Sequence, residues 1–588
     1  MFDLDYSEGA VHMVKNSLVS EINLRSFSLK TSTPERIRKL TDAGLWGDKT
    51  LCDYLRIQAK NHPNILAAAD QHTREQLTGS PPLRLTFLEL DNASDALAID
   101  LCQRGVACGD RVMLQMPNVV DLMVLYYALS KLGAIASPLP VQYGRHEIAS
   151  LASALEPAWF IGAACFRDAN LADNGLAALP AQKILAMGDD LIIRGAAGLG
   201  DSEREVLQRH RSDNPASAND ICTICWTSGT TGTPKGVPRS HNMWLASGHM
   251  TATGSEYQPG DVLLNPFPMV NMSALGGFLF PAAKLGCGIV LHHPLDVPVF
   301  LEQIQRDNVT FTIAPPALLN KLAKEPALWN SFNFPALRGI GSGSAPLAPE
   351  MIATFERDYG VNIYNIYGSN EGIALISSPA AIPDPEERAA MFPRSGTRHA
   401  RWTGPLHETV RSTVVDPETG TELTQQGDRG ELCFSGPTVF DGYLDSSRDD
   451  LFTSQGFFRT GDVVEICGSD GAFYRIAGRL KDIINRGGMK ISPAELDTLL
   501  EGHPALAEAA VCAYHDAILG EKICVCIVPA DGETPSLEDI CAFLMQCGVA
   551  KFKLPERLVV IEALPRNPLG KVLRHKLAEW ADEEKGGA

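Results

Sequence analysis

Thr227-Ser-Gly-Thr-Thr-Gly-Thr-Pro-Lys-Gly236 decides how the rest of the chain is read. Five hydroxyl residues (Thr227, Ser228, Thr230, Thr231 and Thr233) and two glycines, Gly229 and Gly232, precede one lysine, Lys235. Ahead of the stretch, Ile221-Cys-Thr-Ile-Cys-Trp226 is a short apolar run rich in strand formers. Behind it, Ser240 to Thr253 predicts a helix. A glycine-rich loop at a strand end can turn its amides toward an anion, and its hydroxyls can donate to phosphoryl oxygens. Lys235 adds a positive charge. The loop is not a Walker A motif, because Gly236 rather than Ser or Thr follows the lysine.

Working outward, apolar runs alternate with helical patterns. Thr86 to Gly105 reads as a strand-turn entering a helix, Asp110–Met116 as a strand, Val119 to Gly133 as a helix and Ala134 to Val141 as a strand. Glu147 to Leu155 and Ala158–Ile161 repeat the pattern. This alternation predicts a parallel, doubly wound α/β sheet. Residues 196–220 are polar and read as a surface connection, and residues 1–48 carry no clear motif. Gly430–Gly436 with Gly442-Tyr443 is β-rich. Ser492-Pro-Ala-Glu495 predicts a capping box that opens a helix to about Gly502. Strands near 509–514, 523–529 and 557–561, and a capped helix from Ser536, complete a small α/β unit.

The chain has 588 residues, 45% hydrophobic and 21% charged, with a net charge of -19. That length allows more than one domain. The acidic balance argues against nucleic acid and anionic membrane surfaces, which need clustered Lys and Arg. No basic, apolar leader is read at Met1–Glu8, and Asp121, Lys131 and Lys284 interrupt the most apolar stretches. A cytoplasmic protein with no integral membrane segment is therefore expected. The fourteen cysteines read as reduced core residues. Cys222 and Cys225 point to opposite faces of a strand, and Cys524 and Cys526 lie in another apolar strand. His292-His293 reads as a loop feature. Lys551, Lys553, Arg557 and Arg574 read as a local basic cluster able to meet a phosphate-bearing ligand or an acidic protein.

WTSGTTGTPKG resembles the phosphate loop of the adenylate-forming (ANL) superfamily, with Trp226 where Tyr or Phe is usual. Further motifs follow in the family's order. Gly339-Ile-Gly-Ser-Gly-Ser-Ala-Pro-Leu347 is similar to the adenine-side turn, implicating Ser344, Ala345 and Pro346. In Tyr364-Asn-Ile-Tyr-Gly-Ser-Asn-Glu-Gly372 the resemblance implies that Tyr367 packs on adenine, that Gly368, Ser369 and Asn370 line the nucleotide, and that Glu371 binds Mg²⁺. Asn370 stands where Thr is usual, and its amide is expected to keep a phosphate contact. Asp462 in Thr460-Gly-Asp462 would accept from both ribose hydroxyls, and Arg479 would reach ribose or phosphate. Lys481 matches the hinge position, Gly487 and Gly488 the pantetheine passage, and Lys571 the adenylation lysine. Thr227, Ser228, Gly229, Thr230, Thr231, Gly232 and Lys235 would hold the β- and γ-phosphates. In Pro268–Ala274, Asn271 takes the usual histidine position; with Met272 and Gly343 it would line the acyl pocket.

The resemblance implies a large N-terminal AMP-binding domain, residues 1–480, with doubly wound β/α subdomains and a small β-barrel portion at 382–478. A small mobile α/β lid would follow at 481–588. It implies a ligase using ATP, Mg²⁺ and CoA, acting through acyl-AMP, and working as a monomer or homodimer. Short- or medium-chain and alicyclic acid–CoA ligases are the nearest in kind, with Gly44-Leu-Trp-Gly-Asp48 as a further shared element. Met272 is an apolar wall where hydroxybenzoate activators generally carry Asn, which favours an aliphatic or alicyclic acid. The alternatives are a freestanding adenylating enzyme that loads a carrier-protein pantetheine, and a non-catalytic nucleotide-binding regulatory protein.

Overall fold

Two parallel-rich sheets share one helical layer between them. The computed structural model describes residues 29, 31–194, 199–227, 234–343, 347–372, 374–397, 402, 407, 409–444, 451–486, 489–516, 518–547, 549, 551–567 and 570–583. The six-stranded sheet runs Ile184–Met187, Trp159–Ala163, Arg111–Gln115, Ile135–Leu139, Ile221–Thr227, Lys235–Ser240, all parallel except the last pair. The eight-stranded sheet is parallel through its centre, with antiparallel edges at Arg84–Thr86 and Ala374–Ser377. Helix Val120–Leu132 is buried along its whole length. Its side chains share a core with Val112 and Leu114 of one sheet and Leu263, Ile289 and Phe311 of the other. Two charges that interrupt this apolar helix are neutralised inside. Asp121 pairs with Arg74 at 2.8 Å, and Lys131 with Asp91 and Asp95 at 2.6 and 2.8 Å. Among the described residues no helix is long and apolar enough to cross a membrane.

The stretch read as a small barrel contains a six-stranded antiparallel sheet. Beyond it a five-stranded sheet, built on the long antiparallel pair Leu506–Asp516 and Gly520–Pro529, carries its own core of Ile484, Leu496, Val511, Val525 and Ile540. The chain is thus α/β with a large N-terminal and a smaller C-terminal domain.

Several expectations need correction. Residues 196–220 include a helix, Asp201–Asp213. The phosphate-loop hairpin returns as a strand, Lys235–Ser240, before the predicted helix begins at His241 behind its Ser240 cap. Gly339–Gly343 is a strand rather than a turn. Its glycines admit the neighbouring strands: a Cβ at Gly339 would lie 2.6 Å from Tyr364, and one at Gly341 would lie 2.8 Å from Ile366. The Ser492 box is half formed. The Ser492 hydroxyl accepts from Glu495 N, but the Glu495 carboxylate binds Lys553 at 2.6 Å. His292 and His293 do lie in a loop, as expected, but a buried one: His292 Nδ1 is 2.6 Å from Gln303 Oε1 and its Nε2 accepts from Asp296 N.

Candidate functional site

The site forms where the ends of both parallel sheets meet the antiparallel sheet. Thr227 and Lys235 face each other across the hairpin, and the Lys235 ammonium stands 4.9 Å from the centroid of the Tyr443 ring. Trp226 is buried, its indole donating to Ser137 Oγ at 2.9 Å. Ser228, Gly229, Thr230, Thr231 and Gly232 lie outside the described residues, as do Ser344, Ala345, Pro346, Gly487 and Gly488.

Strand Asn362–Gly368 delivers the next group. Glu371 is buried, and its Oε1 accepts from the Tyr443 hydroxyl at 2.7 Å. Burial first, and then the Glu371 charge, raise the Tyr443 phenol above its ordinary value, so it stays a donor. Among the described residues no hydrogen bond reaches Glu371 Oε2, leaving a hard oxygen of the kind Mg²⁺ takes. The Ser369 hydroxyl is buried with no hydrogen-bond partner among the described residues. A buried hydroxyl left without a partner is costly, and it suits a phosphoryl oxygen. Asn370 is held at both ends of its amide: Oδ1 accepts from Met272 N at 2.8 Å and Nδ2 donates to Trp226 O at 3.2 Å. Its amide thus ties the acyl-side segment to the phosphate hairpin and keeps a second N–H for the expected phosphate contact.

On the opposite wall, Asp462 pairs in register with Arg479 across two antiparallel strands and meets its Nε at 2.7 Å. The Tyr367 hydroxyl donates to the other oxygen of Asp462. Lys571 sits in a tight turn, with Asn567 N donating to its carbonyl at 2.8 Å and its own N–H donating to Asn567 Oδ1 at 2.9 Å. Lys571 is exposed to solvent. Partial desolvation of its ammonium, then repulsion from Arg479, brings its pKa down to about 8, against the opposing pull of Asp462 and Asp482. The C-terminal turn thus reaches into the field of the Asp462–Arg479 pair. Lys481 lies between the antiparallel sheet and the C-terminal sheet, in a turn closed by Asp482 N and Ile483 N donating to Arg479 O, both at 3.0 Å.

Asn271 caps the short helix Met272–Ala274, its Oδ1 accepting from Ser273 N at 3.1 Å. Met272 fills the space beside Gly276, where a Cβ would lie 2.4 Å from its sulfur. At Gly343 a Cβ would fall 1.9 Å from Ile366 O, so this glycine is required by strand packing. Of the expected basic cluster, three side chains have partners within the smaller domain, and Lys551 is exposed. Lys553 binds Glu495, Arg557 lies 4.0 Å over the Tyr514 ring, and Arg574 binds Asp497.

Three contributors escaped the sequence reading. Arg239 is fully buried and donates to Asn370 O, Met243 O, Ser247 Oγ and Thr438 O at 2.7 to 3.0 Å, over the Trp244 ring. Gly372, at φ +101°, lets Thr438 O approach where any Cβ would collide at 1.6 Å. The third is a strap, residues 31–48. Arg36 binds Asp441 and donates to Gly436 O at 3.0 Å and Val439 O at 2.5 Å. Ser32 Oγ donates to Asp441 at 2.5 Å, and the Trp46 indole to Pro437 O at 3.1 Å. The strapped segment also bears Phe440, whose N–H donates to Glu371 O at 3.0 Å.

The AMP-binding enzyme family matches residues 55–444, and its C-terminal domain matches residues 495–571. The chain belongs to the AMP-binding enzyme family. AMP-binding enzymes like it include a medium-chain fatty-acid–CoA ligase of Escherichia coli K12, 30% identical and covering 96% of each chain. A salicyl-AMP ligase / salicyl-S-ArCP synthetase of Mycobacterium tuberculosis is 29% identical over 92% of each chain. ATP-bound MatB from Rhodopseudomonas palustris superposes with a TM-score of 0.73 at 25% identity, over 91% of this chain and 99% of that one. The AMP-binding enzyme described here is accordingly an ATP-dependent, adenylate-forming ligase.

Proposed function

We propose that this enzyme joins a medium-chain or alicyclic apolar carboxylic acid to CoA through an acyl-adenylate. The observation that carries the reading is the Lys571 turn, held within electrostatic reach of Asp462 and Arg479. The acid's carboxylate oxygen attacks the α-phosphorus of ATP; an O–P bond forms and pyrophosphate leaves. Two anions are brought together, so charge neutralisation dominates the barrier. Lys571 spans carboxylate and α-phosphate, Lys235 and Thr227 hold the departing phosphates, and Asp462 takes the ribose. Glu371 would hold Mg²⁺, which when bound neutralises phosphate charge. The CoA thiolate then attacks the acyl carbon; a C–S bond forms and AMP departs. For that step a swing about Lys481 would withdraw Lys571 and bring the Gly487–Gly488 segment inward.

Met272 packed beside Gly276, and the fully apolar turn Leu275–Leu279 that follows, support an apolar acid. The salicyl-S-ArCP synthetase among the relatives supports a second reading, in which the thiol belongs to a carrier protein. Pyrophosphate release measured across an acid panel, with and without CoA, separates them. Medium-chain and alicyclic acids should give CoA-dependent AMP turnover and thioester. A tenfold preference for hydroxybenzoates, or acyl-adenylate formation with no CoA thioester, would overturn the CoA reading. Absence of acid-dependent exchange with every acid would instead favour a nucleotide-binding protein without turnover.

The strap makes a further prediction. Arg36→Met keeps the aliphatic stem but frees Asp441 and two carbonyls of the segment that positions Tyr443 and Glu371. Exchange should fall about tenfold at low MgATP, equivalent to about 1.4 kcal/mol, with little change in the KM for the acid. An unchanged MgATP dependence would separate the strap from the metal side of the site.

A further inference from the structure

The smaller domain contains a cluster of thiols that adenylation does not use. Its strand Ile523-Cys-Val-Cys-Ile527 sends Ile523, Val525 and Ile527 into one core, and Cys524 and Cys526 to the other face. The antiparallel partner places Cys512 directly opposite Cys524, and Ala510 opposite Cys526. The three sulfurs consequently lie within 4.8 Å of one another. All three are buried, at 2%, 0% and 0% exposure, beneath Tyr514, Val559, Leu564, Leu577 and Ala581. Among the described residues no His, Asp, Glu or further Cys joins them as a fourth ligand.

We propose that Cys512, Cys524 and Cys526 form a closed three-thiol site for a three-coordinate thiophilic centre, with trivalent arsenic as the best-matched chemistry. Bonds of about 2.3 Å from sulfur to a soft centre, arranged as the pyramid of trivalent arsenic, put the sulfurs about 3.5 Å apart, inside the 4.8 Å within which all three lie. Structural zinc asks for four ligands and finds three. Charge decides between the remaining soft ions. Three thiolates around a divalent ion would bury a net negative charge in an apolar pocket, whereas a trivalent centre leaves none. Arsenous acid also enters uncharged. Three As–O bonds break and three As–S bonds form; each thiol proton leaves with a hydroxide as water, and nothing is oxidised or reduced.

The test uses the full chain with exposed Cys108, Cys165 and Cys547 replaced by Ser, mixed with equimolar arsenite and examined by native mass spectrometry. The expected product carries one arsenic and has lost three hydrogens, and its thermal midpoint is raised because the two strands are cross-linked. Cys512→Ala, Cys524→Ala and Cys526→Ala, each checked for folding by circular dichroism, should each abolish that species. An unmodified mass in the otherwise wild-type core would overturn the site. So would an adduct that has lost three hydrogens and persists in Cys524→Ala. The parent protein's own mass shift and midpoint keep the test valid if an Ala variant fails to fold.

Discussion

Lys571→Ala is expected to lower acid-dependent ATP–pyrophosphate exchange by about 10²–10³-fold, the range for losing one preorganised transition-state donor. Thioester formation from supplied acyl-adenylate should persist, because that step needs the lysine withdrawn. Equal loss of both steps would refute the division of labour. The pH dependence gives an independent check. Partial desolvation and the neighbouring Arg479 bring Lys571 down to about 8; in the proposed mechanism the protonated form bridges two anions, so activity should be present below that value. As pH rises through about 8 the charge is lost, and kcat/KM for ATP should fall tenfold per unit. Lys571→Arg, which stays protonated, should show lower activity but no such alkaline limb. A limb that survives unchanged in Lys571→Arg would assign the titration to another group.

The order of motifs was legible because each is local. A hydroxyl-rich loop after a strand, a carboxylate after a strand and an aspartate behind a Thr-Gly pair need no knowledge of the fold. The alternation from Thr86 to Ala163 was legible for the same reason, since period and turn residues are properties of short windows. What stayed hidden depends on partners far apart in the chain. Arg36 and Asp441 are 405 positions apart, and no window contains both. The bonds that Asn370 makes to Met272 and Trp226 exist only once two sheets meet. The Gly339 stretch looked like a turn because glycine is usually a conformational choice; here it is a steric one, imposed by Tyr364 and Ile366 on the next strand. The cysteines repeat the lesson. Cys524 and Cys526 are visibly on one face, but only strand register supplies Cys512.

Arg239→Met should cost the large domain about 3–5 kcal/mol of unfolding free energy, as removal of one member of a buried, hydrogen-bonded charge network generally does. The guanidinium is fully buried and meets three carbonyls and a hydroxyl rather than a carboxylate. Desolvation, only partly offset by the Glu371 carboxylate, lowers its pKa to about 9, so it remains charged at neutral pH. Taking it away strands those acceptors in a space no water occupies cheaply. The loss should reach function too, because two of the carbonyls belong to Asn370, immediately before Glu371, and to Thr438 of the strapped segment. Arg239→Lys discriminates between the two consequences. It keeps the charge, but one ammonium cannot satisfy four acceptors that a planar fork reaches together. Denaturant midpoints should therefore recover partly while exchange at low MgATP stays depressed. If Arg239→Met unfolds at the wild-type midpoint and exchanges pyrophosphate normally, the pillar carries neither the packing nor the alignment of Glu371.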